Sequence, residues 1–263
     1  MQIHEILDRL EVLYPDNSVF SDLRKALLSE DKFALFRVIQ TLTDSQLVEG
    51  MRKFKDDESF DKDCFSRGQL QSKLWLVEEL KKLKIDLDKV FLCAGWYGTL
   101  ATMIFESGMK VDTIRSFDMD PSCAKIAETF NKKWFENNWQ FKASTVDILD
   151  FNWTTDPAPS DGTVGNFYYM TEAKGKQVQM KDRPNTIINT SCEHIEYFED
   201  WYDIIPEGTL VVLQTNNYFE IKEHVNCVQG PIQFANQTPM KKCLYQGSLN
   251  LPGYTRFMRI GIK

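Results

Sequence analysis

Four short stretches of the 263-residue chain place chemically capable residues directly after apolar or β-branched runs. In CAGWYGTLA (93 to 101), Gly95 and Gly98 permit a tight turn and close backbone approach, and the helix start that follows attracts a carboxylate. Trp96 and Tyr97 lie between the glycines; they either cover a cationic ligand centre, a contact worth about 0.5–2 kcal/mol, or pack against the sheet edge. Asp118, followed by Met119, ends the next run about twenty residues on, where a carboxylate can accept both hydroxyls of a ribose. Asp120 precedes Pro121 and is expected to cap the following helix. In TVDILDF, Asp147 can accept an adenine amine, with Ile148 and Phe151 as an apolar wall and Asp150 in solvent. In NTSCEHI, Asn189 and Ser191 leave a strand ahead of Glu193 and His194, two groups able to accept a proton near neutral pH. The competing role for His194 is to pack or cap at the helix start.

Positions outside these runs add to the set. FSRGQLQSK (65 to 73) offers Arg67, Gln69, Ser72 and Lys73 for charge-assisted bonds to a carboxylate, or is a solvated helix start. Tyr168, Tyr169 and Tyr218 are candidates for the wall of a second substrate, with core packing as the alternative. His224 is a weaker candidate than His194, and His4 belongs to the N-terminal helices. Three histidines and six scattered cysteines with no ligand spacing lead us to expect no metal.

The elements that position these residues can be read from periodicity. Residues 3 to 13, 21 to 28, 32 to 42 and 46 to 54 repeat apolar positions at helical spacing, with YPDNS (14 to 18) as a break and Thr43 or Asp44 as an N-cap. The acidic, Lys-rich segment at 55 to 63 reads as a linker, so a helical accessory domain is expected over 1 to 60, with a linker and lead-in helix over 61 to 88. From residue 89 strands and helices alternate: strands at 89 to 95, 113 to 120, 140 to 148, 185 to 191 and 208 to 216, helices at 99 to 108 and 121 to 135. That grammar predicts an α/β fold, a Rossmann-like, doubly wound, mostly parallel sheet over 89 to 263 beside a small N-terminal helical domain. Residues 152 to 184 form a long insertion, expected to be a functional loop or small hairpin, and 255 to 263 a final edge strand.

Composition excludes several classes. A net charge of −7 and a pI near 5.1 oppose the basic footprint of nucleic-acid binding and favour a small-molecule substrate. No apolar run approaches a membrane span, the N-terminus lacks an apolar signal core, and the cysteines read as reduced thiols of a cytoplasmic protein.

CAGWYGTLA, SFDMDPSCAKIAETFN, TVDILDF and NTIINTSCEHI, in that order and spacing, resemble the successive motifs of class I S-adenosylmethionine (SAM)-dependent methyltransferases over about residues 88 to 263. The resemblance implies that Gly95 to Gly98 contact the methionine end of SAM, Asp118 the ribose, Asp147 and Ile148 the adenine, and Asn189 onward the donor and acceptor side. SCEHIEYF is similar to the Glu-His-hydrophobe that follows strand four in many small-molecule members. Two departures stand out: the first loop has Cys93, Trp96 and Tyr97 where the family has an acidic residue and a third glycine, and strand four is not followed by an Asn-Pro-Pro-Tyr tetrad. The implied activity is methyl transfer; the alternatives are aminocarboxypropyl transfer or SAM cyclisation with release of methylthioadenosine, and a non-catalytic SAM-binding protein.

Overall fold

The computed structural model describes residues 12, 18–29, 35, 38, 45–54, 56–58, 60–151, 153–154 and 166–263. The helix expected at 3 to 13, the break after it, His4, the caps expected at Thr43 and Asp44 and most of 32 to 42 lie outside these residues. The chain divides into two compact units, Met1–Gln71 and Ser72–Lys263.

In the first unit α1 spans Ser18–Ser29 and α2 spans Gln46–Phe54. Ser45 starts α2: its carbonyl accepts the N–H groups of Val48 and Glu49, and its hydroxyl that of Leu47 at 3.2 Å. A single 3-10 turn, Lys62–Phe65, follows, with the Asp61 carboxylate accepting Asp63 N–H at 2.9 Å. The segment expected as a linker is therefore partly structured, and helix α3, Arg67–Leu83, runs through the boundary between the units.

The second unit is built on a seven-stranded sheet. Its strands are β1 (Lys89–Cys93), β2 (Thr113–Asp118), β3 (Phe141–Thr145), β7 (Thr186–Asn189), β8 (Leu210–Asn216), β9 (Lys242–Leu251) and β10 (Tyr254–Ile262). A separate three-stranded sheet holds β4 (Trp153–Thr154), β5 (Asn166–Ala173) and β6 (Lys176–Asp182). The main sheet runs β3-β2-β1-β7-β8-β10-β9, parallel from β3 to β8 and antiparallel beyond. Helices α4 (Thr99–Glu106), α5 (Cys123–Phe130), α6 (Lys132–Glu136), α7 (Phe198–Ile204) and α8 (Pro231–Gln237) complete the described elements.

Three expectations need correction. The strand at 255 to 263 is not at the edge: β10 is buried along most of its length between β8 and β9, and β9 is the edge. The run KCLYQGSLNL is half polar and gives no strand signal of its own, because an edge strand needs only one apolar face. The single helix expected over 121 to 135 is two, divided at Asn131, whose side chain donates to the Gly98 and Ala127 carbonyls at 3.0 Å each. Asp120 does not cap the helix; α5 starts after Ser122, and Asp120 instead accepts Ser122 N–H at 2.8 Å in the turn through Pro121.

The insertion after β3 is a hairpin, β5 with β6, tied back to the main sheet. Arg115 on β2 pairs with Asp182 on β6 at 3.1 Å, and Tyr169 donates to the same carboxylate at 2.7 Å. Tyr169 and Phe167 thereby enter an aromatic cluster with Phe91, Phe117 and Phe151, ring centroids 4.3–6.5 Å apart. Edge-to-face pairs of this kind add about 0.5–1.5 kcal/mol each beyond the area they bury. Phe117→Ala is expected to lower stability by about 3–5 kcal/mol, read as a lower urea midpoint with an unchanged slope.

Candidate functional site

A parallel sheet opens a crevice where the strand order reverses, beyond the carboxyl ends of the strands. Here β1 is the first strand in sequence, β2 and β3 lie on one side of it and β7 on the other, so the reversal falls between β1 and β7. Cys93 and Asn189 face each other in register at that point. The residues that follow them, 94 to 98 and 190 to 194, line the two banks.

On the first bank, backbone geometry fits the loop tightly to β2. Gly95 N–H donates to the Phe117 carbonyl at 2.9 Å, and a Cβ on Gly95 would lie 2.1 Å from Ser116 Oγ. Gly98 has φ +65° and a Cβ there would meet Asn131 Nδ2 at 2.9 Å, so both glycines are demanded by contact. Ala94 and Trp96 also take positive φ, 50° and 49°, a strained state for residues with a Cβ. Trp96 stacks on Tyr97, ring centroids 5.1 Å apart, and Tyr97 is buried.

Asp118 closes this bank. Its carboxylate accepts Trp96 N–H at 2.8 Å and Asp120 N–H at 3.1 Å. Burial raises its pKa above the ordinary aspartate value, an effect that the two N–H donors oppose without cancelling. Met119 beside it is 71% exposed. Beyond β3, which ends at Thr145 where a strand through 148 was expected, Asp147 opens a 3-10 turn over Ile148–Asp150 and accepts Leu149 N–H at 2.9 Å. Ile148 is buried, and Phe151 belongs to the aromatic cluster.

On the second bank Asn189 is fully buried; its Oδ1 accepts Ser191 N–H at 2.8 Å, while Nδ2 has no partner. Glu193 and His194 lie in a 3-10 turn, Cys192–His194. Glu193 is buried against Arg256 of β10 at 3.0 Å and accepts Asn216 Nδ2 of β8 at 2.7 Å, both at Oε1. His194 is exposed; its Nδ1 lies 3.2 Å from the Glu223 carbonyl, and its ring meets that of His224 edge-on at 4.6 Å. Desolvation lowers the His194 pKa, with the neighbouring His224 adding to that direction and Glu193 opposing it.

The other candidates are dispersed. Ser72 is buried, and its carbonyl accepts Gln214 Nε2 of β8 at 3.0 Å. Tyr169 packs in the core, Tyr168 is half exposed, and Tyr218 stacks on Tyr254 at 5.4 Å. Sequence reasoning missed Arg256 and Asn216, the partners of Glu193. A cation inside the apolar run RFMRIGI was the available signal, because a charge buried in a strand requires a counter-charge.

A doubly wound sheet with this order and switch point, closed by an antiparallel β10, is the fold of class I SAM-dependent methyltransferases. Among solved structures, the N-methyltransferase NodS from Bradyrhizobium japonicum WM9 in complex with S-adenosyl-l-homocysteine is similar at TM-score 0.53 and 10% identity, over 82% of this chain and 98% of that one. The magnesium protoporphyrin IX methyltransferase ChlM from Synechocystis PCC 6803 follows at TM-score 0.48 and 11% identity, over 86% and 99%. No protein-family model and no curated protein matches the sequence. Among the described residues no helix is long and apolar enough to cross a membrane.

Gly95→Ala is expected to destabilise the protein, since the added methyl meets Ser116 Oγ. Ser116→Ala in the same chain should recover part of the loss, and a double-mutant cycle in urea measures the coupling.

Proposed function

We propose that the chain binds SAM at the β1/β7 switch point and transfers its methyl group to a small-molecule acceptor. The observation that carries this reading is Asp118: a carboxylate at the end of β2, bonded to the backbone of the first glycine loop, supports a ribose contact in a doubly wound sheet. The unpartnered Asn189 Nδ2 supports it, since a buried donor without an acceptor is costly unless a ligand supplies one. NodS, the neighbour of like fold, holds the demethylated form of the same compound.

In this reading Asp118 and Met119 hold the ribose, and Asp147 and Ile148 border the adenine. Gly95, Trp96, Tyr97 and Gly98 take the methionine end with Ser72, and Asn189 and Ser191 flank the transferring carbon. SAM supplies an electrophilic methyl on a sulfonium. The chain aligns the acceptor in line with it and excludes water, the main requirement of such a displacement. Glu193 is held by Arg256, so it positions the turn, and His194 takes a proton where the acceptor must lose one. The net charge of −7 fits a small or basic acceptor better than a nucleic acid.

Calorimetric titration should show SAM binding, weakened by about 1.5–3 kcal/mol in Asp118→Ala, the range for a hydrogen bond to a charged group. Unchanged affinity in a folded variant removes Asp118 from the site. Incubation with acceptor pools should yield S-adenosylhomocysteine; methylthioadenosine would mean aminocarboxypropyl chemistry.

The raised Asp118 pKa sets a pH dependence. The ionised form is the acceptor for both hydroxyls, so SAM affinity should fall on acidification, beginning at a higher pH than an ordinary aspartate would give. Asp118→Asn should abolish that part of the profile.

A further inference from the structure

The second bank carries a feature that cofactor binding does not require. A carboxylate oxygen of Glu193, an imidazole nitrogen of His194 and one of His224 all lie within 4.8 Å of one another. We propose that these three residues bind a divalent first-row metal ion, of which zinc is the type, with further coordination positions open to water or a substrate atom.

The donor chemistry is that of a metal site. Two imidazoles and one carboxylate form a set that suits zinc and its neighbours and leaves the remaining positions free. Each imidazole is also held in a tautomer that leaves one nitrogen free to ligate. His194 Nδ1 lies 3.2 Å from the Glu223 carbonyl, and His224 Nδ1 lies 2.7 Å from the Tyr218 carbonyl. A carbonyl oxygen only accepts, so both Nδ1 atoms carry the proton and both Nε2 atoms carry the lone pair. Fixing the tautomer through a backbone carbonyl is the usual outer-shell support of a metal-bound histidine.

Glu193 supplies the independent observation. It is 2% exposed, its Oε1 is committed to Arg256 and Asn216, and its Oε2 has no partner. An ionised oxygen buried without a partner is expensive, and a cation removes the cost. Arg256 holds the carboxylate in place, much as outer-shell groups orient ligating carboxylates. Bonds of about 2.0–2.2 Å hold donors roughly 3–4 Å apart, so the cluster would contract by at most about 1.8 Å, which the exposed His194 can supply. Cys227 Sγ is 3.8 Å from His224 Nδ1, on the protonated side of that ring, and stays outside the ligand set. His194 and His224 are separated by thirty positions in sequence, so spacing could not reveal the cluster.

Ion binding stands apart from the SAM reading; only the further step, in which the open positions take an acceptor oxygen or nitrogen, rests on it. With the ion in place His194 would be a ligand, and the group able to accept a proton would be hydroxide, formed when an ion-bound water loses a proton to solvent.

The test uses the full chain without a histidine tag, treated with chelator and dialysed. Titration with Co²⁺ should give visible d–d absorption saturating at one ion per chain, displaced by Zn²⁺, with affinity near the micromolar range because the Arg256 charge opposes the ion. His194→Ala and His224→Ala should each weaken binding beyond the about 10–100-fold typical of losing an outer-shell partner. His4→Ala should leave it unchanged. Thermal melts identify any variant that fails to fold, and Glu193→Gln, which keeps the bond to Arg256, tests the carboxylate separately. No stoichiometric binding in the parent protein, or affinity unchanged in both folded histidine variants, overturns the proposal. A protein that binds zinc and not SAM would sink the preceding reading while leaving this one, and the reverse result would do the opposite.

Discussion

The structure turns on the fit of the first glycine loop against the end of β2. Gly95 N–H reaches the Phe117 carbonyl, Trp96 N–H reaches the Asp118 carboxylate, and no side chain fits at Gly95 because Ser116 Oγ occupies the space. These contacts do two things together. They satisfy the backbone of a loop that belongs neither to strand nor to helix, as buried polar groups require. They also fix the one carboxylate of β2 relative to the loop, so the two present a single rigid surface. The pKa of Asp118 reflects the same closeness: burial against the loop disfavours its charge, and the two N–H donors restore part of what burial removes.

The opposite bank is held by a different device. Glu193 and Arg256 are charged and nearly fully buried, and such a pair costs desolvation that its attraction repays only with further hydrogen bonds. Asn216 supplies one to Glu193, and the Thr190 carbonyl accepts from Arg256 at 2.8 Å. The pair thereby joins the turn after β7 to the ends of β8 and β10. A hydrophobic pair could have stapled these strands more cheaply. Keeping ions there leaves Glu193 Oε2 without a partner in a turn it shares with His194.

Most of the sheet was legible because parallel strands buried on both faces read as short apolar runs, as in KVFLC, TIRSF and LVVL. What failed followed from physics that a local window does not hold. Whether Tyr254–Ile262 lies at an edge or inside depends on a second strand, Lys242–Leu251, whose polar face hides it. The break at Asn131 has no proline or glycine to announce it; a side chain reaching the Gly98 carbonyl makes it. Of the candidate site, the first bank could be anticipated since its residues follow their strands directly, and Asp118 is joined to the loop over twenty-two positions by one bond. On the second bank Asn189, Ser191, Glu193 and His194 could be named for the same reason, but their partners could not, because Arg256, Asn216 and His224 reach Glu193 and His194 from three separate later segments.

The aromatic pair in the first loop then finds a physical reason. Ala94 and Trp96 hold left-handed backbone conformations that a glycine would adopt without strain, at a cost of about 1–2 kcal/mol each. Strain of this kind persists only where surrounding contacts over-determine the conformation. The bond from Trp96 N–H to Asp118 and the stacking of its indole on Tyr97 are those contacts. A third glycine would relax the backbone but would lose the stack, and with it the wall that Tyr97 anchors in the core. The loop trades flexibility for a fixed aromatic surface beside the switch point, held by the Trp96–Asp118 bond on one side and the Tyr97 stack on the other.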